Sequence, residues 1–277
     1  MKRRDFITSS TLGAIGVGAG TSLPWEDAMP PELFPAPAPG PVRPRSKLAT
    51  RKILIAGGGF REAFVRYMAQ LTGKPRPRLC YLPTASADRP DGIISWFQSC
   101  ANLNVSAFVQ PSFISSYRQM QSWEEVLLSM DGIVASGGNT LNQQAIWKAQ
   151  GIDAVLKEAW DRGIVLGGAS AGSLCWFEEG TTDSRPKELT VVKCLGFLKG
   201  SHSPHYDGEA QRRPTYHRMI GSGELKPGYA CDNDAGLYFE DNDVKRVVAT
   251  RAGAKCYYVS KVGNSVVEKV LEPESIA

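Results

Sequence analysis

The sequence has few of the residues on which metal and nucleic-acid sites depend. Only three of its 277 residues are histidine, and its six cysteines include no Cys-x-x-Cys pair and no pair with a histidine nearby. This spacing predicts no zinc site, and no other pattern indicates a metal or a cofactor. The net charge is only +4, and the sequence lacks the basic stripe that nucleic-acid binding requires.

A dinucleotide-binding signature is also missing. The apolar run 52–56 leads through three glycines, 57–59, into a helical stretch over 61–71. This is a strand, a turn and a helix, but the glycine spacing is not Gly-x-Gly-x-x-Gly. No isolated acid follows at the end of the second strand. The sequence therefore predicts no nucleotide site.

The amino-terminal fifty residues are not expected to belong to the fold. Residues 2–7, Lys-Arg-Arg-Asp-Phe-Ile, precede an uncharged stretch that reaches Trp25. Over residues 1–29 this pattern resembles a twin-arginine export signal, which predicts a periplasmic or extracellular protein and the twin-arginine machinery as a partner. A disordered basic terminus is the alternative. Four glycines dilute the stretch too much for a stable membrane anchor, and the proline-rich residues 30–50 predict an extended linker.

From residue 51 onwards, short apolar runs alternate with helical segments. The runs lie at 52–56, 79–82, 105–109, 132–136 and 164–166. Such alternation predicts an α/β fold of three layers, with helices on both faces of a mostly parallel sheet. Short alternating runs after about residue 229 predict an antiparallel extension, so that one domain spans residues 51–277.

Four turns of small residues follow the predicted strands, at 57–60, 83–86, 137–140 and 168–172. The carboxyl ends of parallel strands share one edge of the sheet, where ligand sites form. We therefore expect the four turns to meet at one site.

The last of these turns carries a candidate nucleophile. Its sequence, Gly-Ala-Ser-Ala-Gly with the serine at position 170, follows a strand and precedes a helical segment. A Gly-x-Ser-x-Gly motif in that position is typical of a nucleophile elbow. The turn lifts the hydroxyl clear of the sheet and directs the Ala171 amide toward an oxyanion. A glycine-rich turn that only packs a helix against a strand is the alternative.

A nucleophilic serine needs a base, for which histidine is best suited near neutral pH. All three histidines, His202, His205 and His217, lie downstream of Ser170 in one window, 202–217. His202 and His205 are expected in one loop around Pro204. His217 falls in a predicted helix and is interpreted as solvated or structural.

Three motifs occur in the order and spacing of one known family. They are Gly-Gly-Asn-Thr at 137–140, Gly-Ala-Ser-Ala-Gly at 168–172 and Pro-His-Tyr-Asp at 204–207. Together they resemble the peptidase E-like serine peptidases, the aspartyl dipeptidases. The similarity extends to Leu-Pro-Thr-Ala at 82–85, the arginine pair 212–213 and Gly-Tyr-Ala at 228–230.

The resemblance implies a fold like that of the class I glutamine amidotransferases, with serine in place of cysteine at the elbow. It implies hydrolysis of small peptides, such as dipeptides with an N-terminal aspartate. Ser170 would be the nucleophile and His205 the base, and the backbone amides of Gly138 and Ala171 would bind the oxyanion. Cyanophycinase, a relative, cleaves a β-linked aspartyl–arginine polymer, so hydrolysis of β-aspartyl peptides is an alternative.

The third member of the triad departs from the family pattern. The expected acid falls on Asn233, between Asp232 and Asp234. An asparagine can orient an imidazole, although it stabilises the imidazolium less than a carboxylate does. If the loop is shifted by one residue, Asp232 or Asp234 is the catalytic acid. A turn-capping role for both aspartates is the alternative, and Asp183 is a further candidate.

Substrate contacts are expected from cations near the catalytic histidine. An enzyme that binds an aspartyl side chain needs a cation, and arginine can bind a carboxylate through two hydrogen bonds. Arg212, Arg213 and Arg218 follow His205 closely in the sequence. Asn139, in the Gly-Gly-Asn-Thr turn, is a further candidate for substrate binding. A solvated helix face is the alternative for the arginines.

The favoured hypothesis is therefore an exported serine peptidase. Two rival functions remain at this point. An α/β-hydrolase esterase, which orders its triad as serine, acid and histidine, would use Asp183 as the acid. A non-catalytic binding domain on the same scaffold would account for Asn233.

Overall fold

In the computed structural model, which describes residues 49–113 and 119–277, two sheets form the frame of the fold. The strands are β1 (Lys52–Ala56), β2 (Arg78–Leu82), β3 (Ser106–Val109), β4 (Gly132–Ala135), β5 (Val165–Ala169), β6 (Phe177–Thr182), β7 (Thr190–Lys193), β8 (Leu198–Ser203), β9 (Gly228–Cys231), β10 (Ala235–Glu240), β11 (Asp243–Ala249), β12 (Cys256–Val262), β13 (Ser265–Leu271) and β14 (Glu274–Ser275). The helices are α1 (Glu62–Leu71), α2 (Pro90–Cys100), α3 (Trp123–Leu127), α4 (Thr140–Gln150), α5 (Ile152–Asp161), α6 (Ala171–Leu174) and α7 (Arg212–Ser222). The expected signal, residues 1–29, and nearly all of the expected linker, residues 30–50, lie outside the described residues.

The larger sheet has eight strands in the order β14-β11-β10-β1-β5-β4-β2-β3. The five strands from β1 to β3 in this order are parallel to one another. Strand β10 pairs antiparallel with β1 and is extended by β11 and β14. The expected α/β fold with a mostly parallel sheet and helices on both faces is confirmed.

The central strands are buried on both faces, which explains their continuous apolar sequences. Along β1, Ile53 and Ile55 face one hydrophobic cluster, whereas Leu54 and Ala56 face another. This alternation is that of a β-strand, whose successive side chains point to opposite faces. Helices α1 and α2 pack on the second face, and helices α3, α4 and α5 pack on the first.

A second sheet of six strands lies against the first face, in the order β13-β12-β9-β8-β6-β7. The sequence predicted a single antiparallel extension of the main sheet. Strands β10 and β11 do extend that sheet, but β12 and β13 pair with β9 in the second sheet. Alternating patterns specify which face of a strand is buried and do not specify its partner, so the second sheet was missed.

The second sheet brings the downstream motifs to the site. Strands β8 and β9 are parallel, with Ser203 opposite Ala230. The chain therefore leaves both strands at the same end, toward His205 after β8 and toward Asn233 after β9. Among the described helices, none is both long and apolar enough to cross a bilayer.

Candidate active site

Ser170 lies on a sharp turn between strand β5 and the short helix α6. Its φ of 59° and ψ of −122° are uncommon for a residue with a side chain. Both flanking glycines are required, because a Cβ on Gly168 would lie 2.3 Å, and one on Gly172 2.0 Å, from the carbonyl oxygen of Ala135. Strand β4 therefore packs directly against the turn, which has the strand–turn–helix geometry of a nucleophile elbow.

His205 follows the end of β8 and is held by one specific hydrogen bond. Its Nδ1 donates to Asn233 Oδ1 at 2.7 Å. An amide oxygen only accepts, so Nδ1 carries the proton and Nε2 of the neutral ring remains an acceptor. Gly58 makes room for this pair, since a Cβ there would lie 2.2 Å from Asn233 Oδ1 and 3.0 Å from His205 Cε1.

The Asn233 backbone is fixed by three contacts. It forms an isolated parallel bridge with Gly58, and its amide donates to Asp207 Oδ1 at 2.8 Å. Arg251 donates to the Asn233 carbonyl oxygen at 2.9 Å and also pairs with the Asp207 carboxylate. These backbone contacts hold Asn233 in place and so position its side-chain amide beside His205.

The two neighbouring aspartates make other contacts. Asp232 is buried, and its Oδ2 accepts from the Lys255 amide at 2.9 Å and from the Tyr257 hydroxyl at 3.4 Å. Burial raises the pKa of this carboxyl above its ordinary value. Asp234 Oδ2 accepts from Arg251 Nε at 3.3 Å. Among the described hydrogen bonds, neither carboxylate reaches His205, whereas Asn233 does.

Ser170 and His205 line one cavity of about 290 Å³ at the carboxyl ends of the parallel strands. In the described part of the chain the Ser170 hydroxyl and His205 Nε2 make no hydrogen bond with each other or with a third group. Such contacts are often long in unliganded sites and tighten around substrate. Both reactive atoms are therefore available to a bound molecule.

The rest of the cavity wall contains residues that sequence reasoning missed. Tyr81 and Trp96 stack with ring centroids 5.5 Å apart, and Arg61 lies on the loop that follows β1. The sequence could have indicated Arg61, because this residue directly follows the turn 57–60, which was expected at this edge of the sheet. Trp96 gave no such signal, because it lies in the interior of α2.

The two expected oxyanion donors adjoin the cavity without being part of its wall. Gly137 and Ser170 line it, and Gly138 and Ala171 are the next residues along the chain. Ala171 is the first residue of α6, so its N–H has no acceptor within the helix. At Gly138 the φ of 134° suits only glycine, and a Cβ would lie 2.2 Å from the Ala85 carbonyl oxygen.

The structure does not bring the expected substrate-binding arginines into the cavity. Arg212 is 2% exposed and pairs with Glu209 at 2.6 Å and with the exposed Asp183 at 3.5 Å. Arg213 pairs with Glu268 at 3.3 Å and lies over two tyrosine rings, those of Tyr206 and Tyr257.

Asn139 is likewise outside the cavity wall. It is the N-cap of α4, where its Oδ1 accepts from the Asn142 amide at 2.9 Å. Its Nδ2 donates to the Ser184 carbonyl oxygen at 3.2 Å. The side chain therefore stabilises the start of the helix that follows the Gly-Gly-Asn-Thr turn.

A buried histidine lies behind the elbow. His202 was expected in a loop, but it belongs to β8 and is completely buried. Its Nδ1 donates to the Tyr229 carbonyl oxygen at 3.0 Å, and its Nε2 lies 2.9 Å from Ser173 Oγ. That hydroxyl is also 2.8 Å from the carbonyl oxygen of Ser170. Burial lowers the pKa of His202 from 6.5 to about 3.

His217, expected on a predicted helix, lies on α7 and is half-buried. Its Nε2 is 2.9 Å from Glu268 Oε2. Across residues 49–113 and 119–277, no group of three or more histidine, cysteine or acidic side chains is arranged to hold a metal ion.

Comparisons with known proteins identify relatives of this site. The model of peptidase family S51 matches residues 53–247. An uncharacterized peptidase, YgaJ of Bacillus subtilis (strain 168), is 40% identical over 222 residues, which cover 78% of this chain and 94% of the relative.

Two solved structures share the fold. A peptidase from an acI-B1 actinobacterium has a TM-score of 0.62 and 14% identity, over 81% of this chain and 95% of that one. A protein provisionally described as peptidase E, from Listeria monocytogenes EGD-e, has a TM-score of 0.52 and 16% identity, over 81% of this chain and 100% of that one.

Proposed function

The chain belongs to peptidase family S51 and is a serine-type peptidase, and from this premise we propose that Ser170 is its nucleophile and His205 its general base. We propose as substrates small peptides, in particular dipeptides with an N-terminal aspartate. The observation that carries the proposal is that both side chains face one cavity, with His205 held by Asn233 so that Nε2 is free to accept a proton.

Acylation begins when His205 Nε2 takes the proton of the Ser170 hydroxyl. The Ser170 oxygen attacks the peptide carbonyl carbon, and the resulting oxyanion receives hydrogen bonds from the Gly138 and Ala171 amides. The intermediate collapses, the C–N bond breaks, and His205 gives its proton to the leaving amine. The acyl group then remains on Ser170 as an ester.

Deacylation repeats these steps with water. His205 accepts a proton from the water, the hydroxide oxygen attacks the ester carbonyl, and the same amides bind the oxyanion. When the second intermediate collapses, the Ser170 oxygen leaves and regains its proton from His205. The products are the free acid and the unchanged enzyme.

Asn233 takes the orienting role in this proposal. Its amide oxygen keeps the proton on His205 Nδ1, as the aspartate does in a Ser-His-Asp triad. Being neutral, it stabilises the imidazolium less than a carboxylate would. The oxyanion donors and the orientation of the ring must therefore supply a larger share of the rate acceleration.

The first test measures hydrolysis of Asp-Leu by the full-length chain. We expect turnover that Ser170→Ala abolishes and that Ser222→Ala, a change at a serine outside the described cavity wall, leaves nearly unchanged. A fluorophosphonate should label Ser170, as mass spectrometry of the modified peptide would reveal. Turnover that survives in Ser170→Ala, or labelling of another serine, would contradict the assignment.

Two further substrates separate the rival functions. Preferred turnover of β-aspartyl-leucine over Asp-Leu would indicate a cyanophycinase-like role. Short-chain ester hydrolysis that depends on Asp183, with peptides untouched, would indicate an esterase. The contacts give the esterase no support, because Asp183 is 64% exposed and pairs with Arg212.

We also propose that residues 1–29 direct export through the twin-arginine machinery, to the periplasm or the outside of the cell. The proposal rests on the paired arginines Arg3 and Arg4 and on the uncharged stretch that follows them.

A further inference from the structure

Among the described residues that line the cavity of Ser170 and His205, Arg61 is the only lysine or arginine. It lies between the glycine turn 57–59 and helix α1, and it lines the cavity that contains Ser170 and His205. Within the described residues its guanidinium makes no ion pair and no side-chain hydrogen bond. Its neighbour Glu62 pairs with Arg66 at 2.8 Å, one turn along the helix, and is not an ion-pair partner of Arg61.

No acidic residue is part of the described cavity wall beside this arginine, and the Asp234 carboxylate, which packs against Gly59 of the wall, is paired with Arg251. Its described polar members are hydroxyl groups, from Tyr81, Ser95, Ser99 and Ser136, together with His205 and the nucleophile. No described aspartate or glutamate lines it. A cation in a concave site without a counter-charge creates a positive potential that favours anionic ligands.

The arginines expected to recognise acidic substrates are occupied elsewhere. Arg212 is buried against Glu209 and Asp183, and Arg213 is held by Glu268. Moving either guanidinium into the cavity would break these pairs. Arg61 is exposed on a loop and can adjust to a ligand without such a loss.

The size and walls of the cavity suit a small peptide. Its volume of about 290 Å³ is close to the lower limit for ligand sites. The stacked rings of Tyr81 and Trp96 provide an apolar surface, with the Trp96 indole N–H fixed to the Phe108 carbonyl oxygen at 3.0 Å. One charged group and one rigid apolar wall can select a short acidic ligand.

We propose that Arg61 is a specificity-determining residue that binds a carboxylate of the substrate through its guanidinium. The proposal rests on the function proposed above and adds the residue that selects acidic peptides. The carboxylate could belong to the aspartyl side chain or to the free carboxyl end of a dipeptide. A guanidinium binds either in the same way, with two parallel N–H···O bonds.

The test compares kcat/KM of the full-length protein and its variants on three substrates: Asp-Leu, Asn-Leu, which lacks the acidic side chain, and Asp-Leu amide, which lacks the free carboxyl end. In Arg61→Gln, kcat/KM for Asp-Leu should fall by about 10- to 100-fold, the loss expected for a charged hydrogen bond. The substrate that lacks the recognised carboxylate should be affected less than threefold or so. The matched control is Arg66→Gln, a change at the paired arginine outside the cavity wall, and it should behave as wild type.

The pattern of losses identifies the carboxylate. If Arg61 binds the side chain, wild type discriminates against Asn-Leu and the variant does not. If it binds the carboxyl end, the same holds for Asp-Leu amide. Equal losses on all three substrates, or no loss on any, would overturn the proposal.

This result is separable from failure of the proposed mechanism. If all three substrates are cleaved equally well and Ser170→Ala abolishes every activity, the serine mechanism stands and the role of Arg61 falls. Binding provides a second readout without turnover. Calorimetry on Ser170→Ala should show Asp-Leu binding that is weakened by adding Arg61→Gln and not by adding Arg66→Gln.

Discussion

Replacing His202 with glutamine should remove an acid-sensitive component of the stability of this fold. The imidazole is completely buried and stacks on Phe177, with ring centroids 4.9 Å apart. Its Nδ1 donates to the Tyr229 carbonyl oxygen, and burial lowers its pKa from 6.5 to about 3. The folded protein therefore keeps this ring neutral at pH values where the unfolded chain protonates it.

The sign and size of the effect follow from this difference. Above pH 6.5, the ordinary pKa of this side chain, the ring is neutral in both the folded and the unfolded protein, so its titration costs no stability. As the pH falls from 6.5 toward 3, the unfolded state binds a proton that the folded state does not, and stability is lost. At about 1.4 kcal/mol per pKa unit, the loss between about pH 7 and about pH 4 is about 3 kcal/mol.

The assay is urea unfolding at a series of pH values, followed by tryptophan fluorescence, for wild type and His202→Gln. Carboxyl groups titrate in the same interval, but they do so in both proteins, so the difference between the two pH profiles isolates His202. The control is His217→Gln, because His217 is half-exposed and beside Glu268. Profiles of wild type and His202→Gln that stay parallel from about pH 7 to about pH 4 would refute the reasoning.

Three further predictions concern the site and the amino terminus. Asn233→Ala should lower kcat/KM for Asp-Leu at least about tenfold, because the His205 ring loses the hydrogen bond that orients it. Asn233→Asp should move the acid limb of the pH–rate profile upward by about one pH unit, because a carboxylate stabilises the protonated ring. Unchanged rates and pH profiles would contradict the orienting role of Asn233. Asp232→Asn should leave the activity nearly unchanged and raise Tm near neutral pH. Burial raises the pKa of the Asp232 carboxyl above 3.8, so its contribution to stability is present below 3.8 and is lost as the pH rises through the folded-state pKa; a Tm gain that does not shrink on acidification would contradict this. Changing Arg3 and Arg4 to lysine should leave the protein in the cytoplasm of an expressing bacterium, as cell fractionation would detect, and export that continues would exclude a twin-arginine route.

The elbow and its sheet edge could be predicted from the sequence because their determinants are local. A buried parallel strand is a continuous apolar run, and the residues of the turn that follows it must be small where the turn packs against the backbone of a neighbouring strand. Gly172 illustrates this, since any side chain there would collide with the Ala135 carbonyl oxygen. The second sheet had no comparable signal, because β12 carries the same alternating pattern whichever strand it pairs with.

The substrate arginines show where reasoning from distance along the chain fails. Arg212 and Arg213 lie near His205 in sequence, but they open helix α7, where one guanidinium is buried against Glu209 and the other packs over Tyr206. Arg61 is remote in sequence and shares a cavity with the nucleophile because β1 and β5 are neighbours in the sheet. The sequence predicted that the turn 57–60 lies at this edge, but which turns are neighbours there depends on strand order, which the sequence pattern did not supply.

The register of the loop explains why an asparagine faces His205. A shift of the loop by one residue would place an aspartate there, but contacts on both sides oppose it. The Gly57 amide donates to the Ala235 carbonyl oxygen at 2.9 Å, and a Cβ on Gly57 would lie 2.2 Å from the Cys231 carbonyl oxygen. The segment between Cys231 and Ala235 is therefore packed too closely against Gly57 to shift by one residue.

A shift would also move neighbouring side chains out of their present contacts. Asp232 would leave the Lys255 amide that its carboxylate accepts from, and Asn233 would lose its place beside Gly58. The register that satisfies Asp232 is therefore the one that presents the Asn233 amide to His205. A carboxylate at this point requires a substitution at position 233, which is why Asn233→Asp isolates the effect of charge on the histidine from the effect of its orientation.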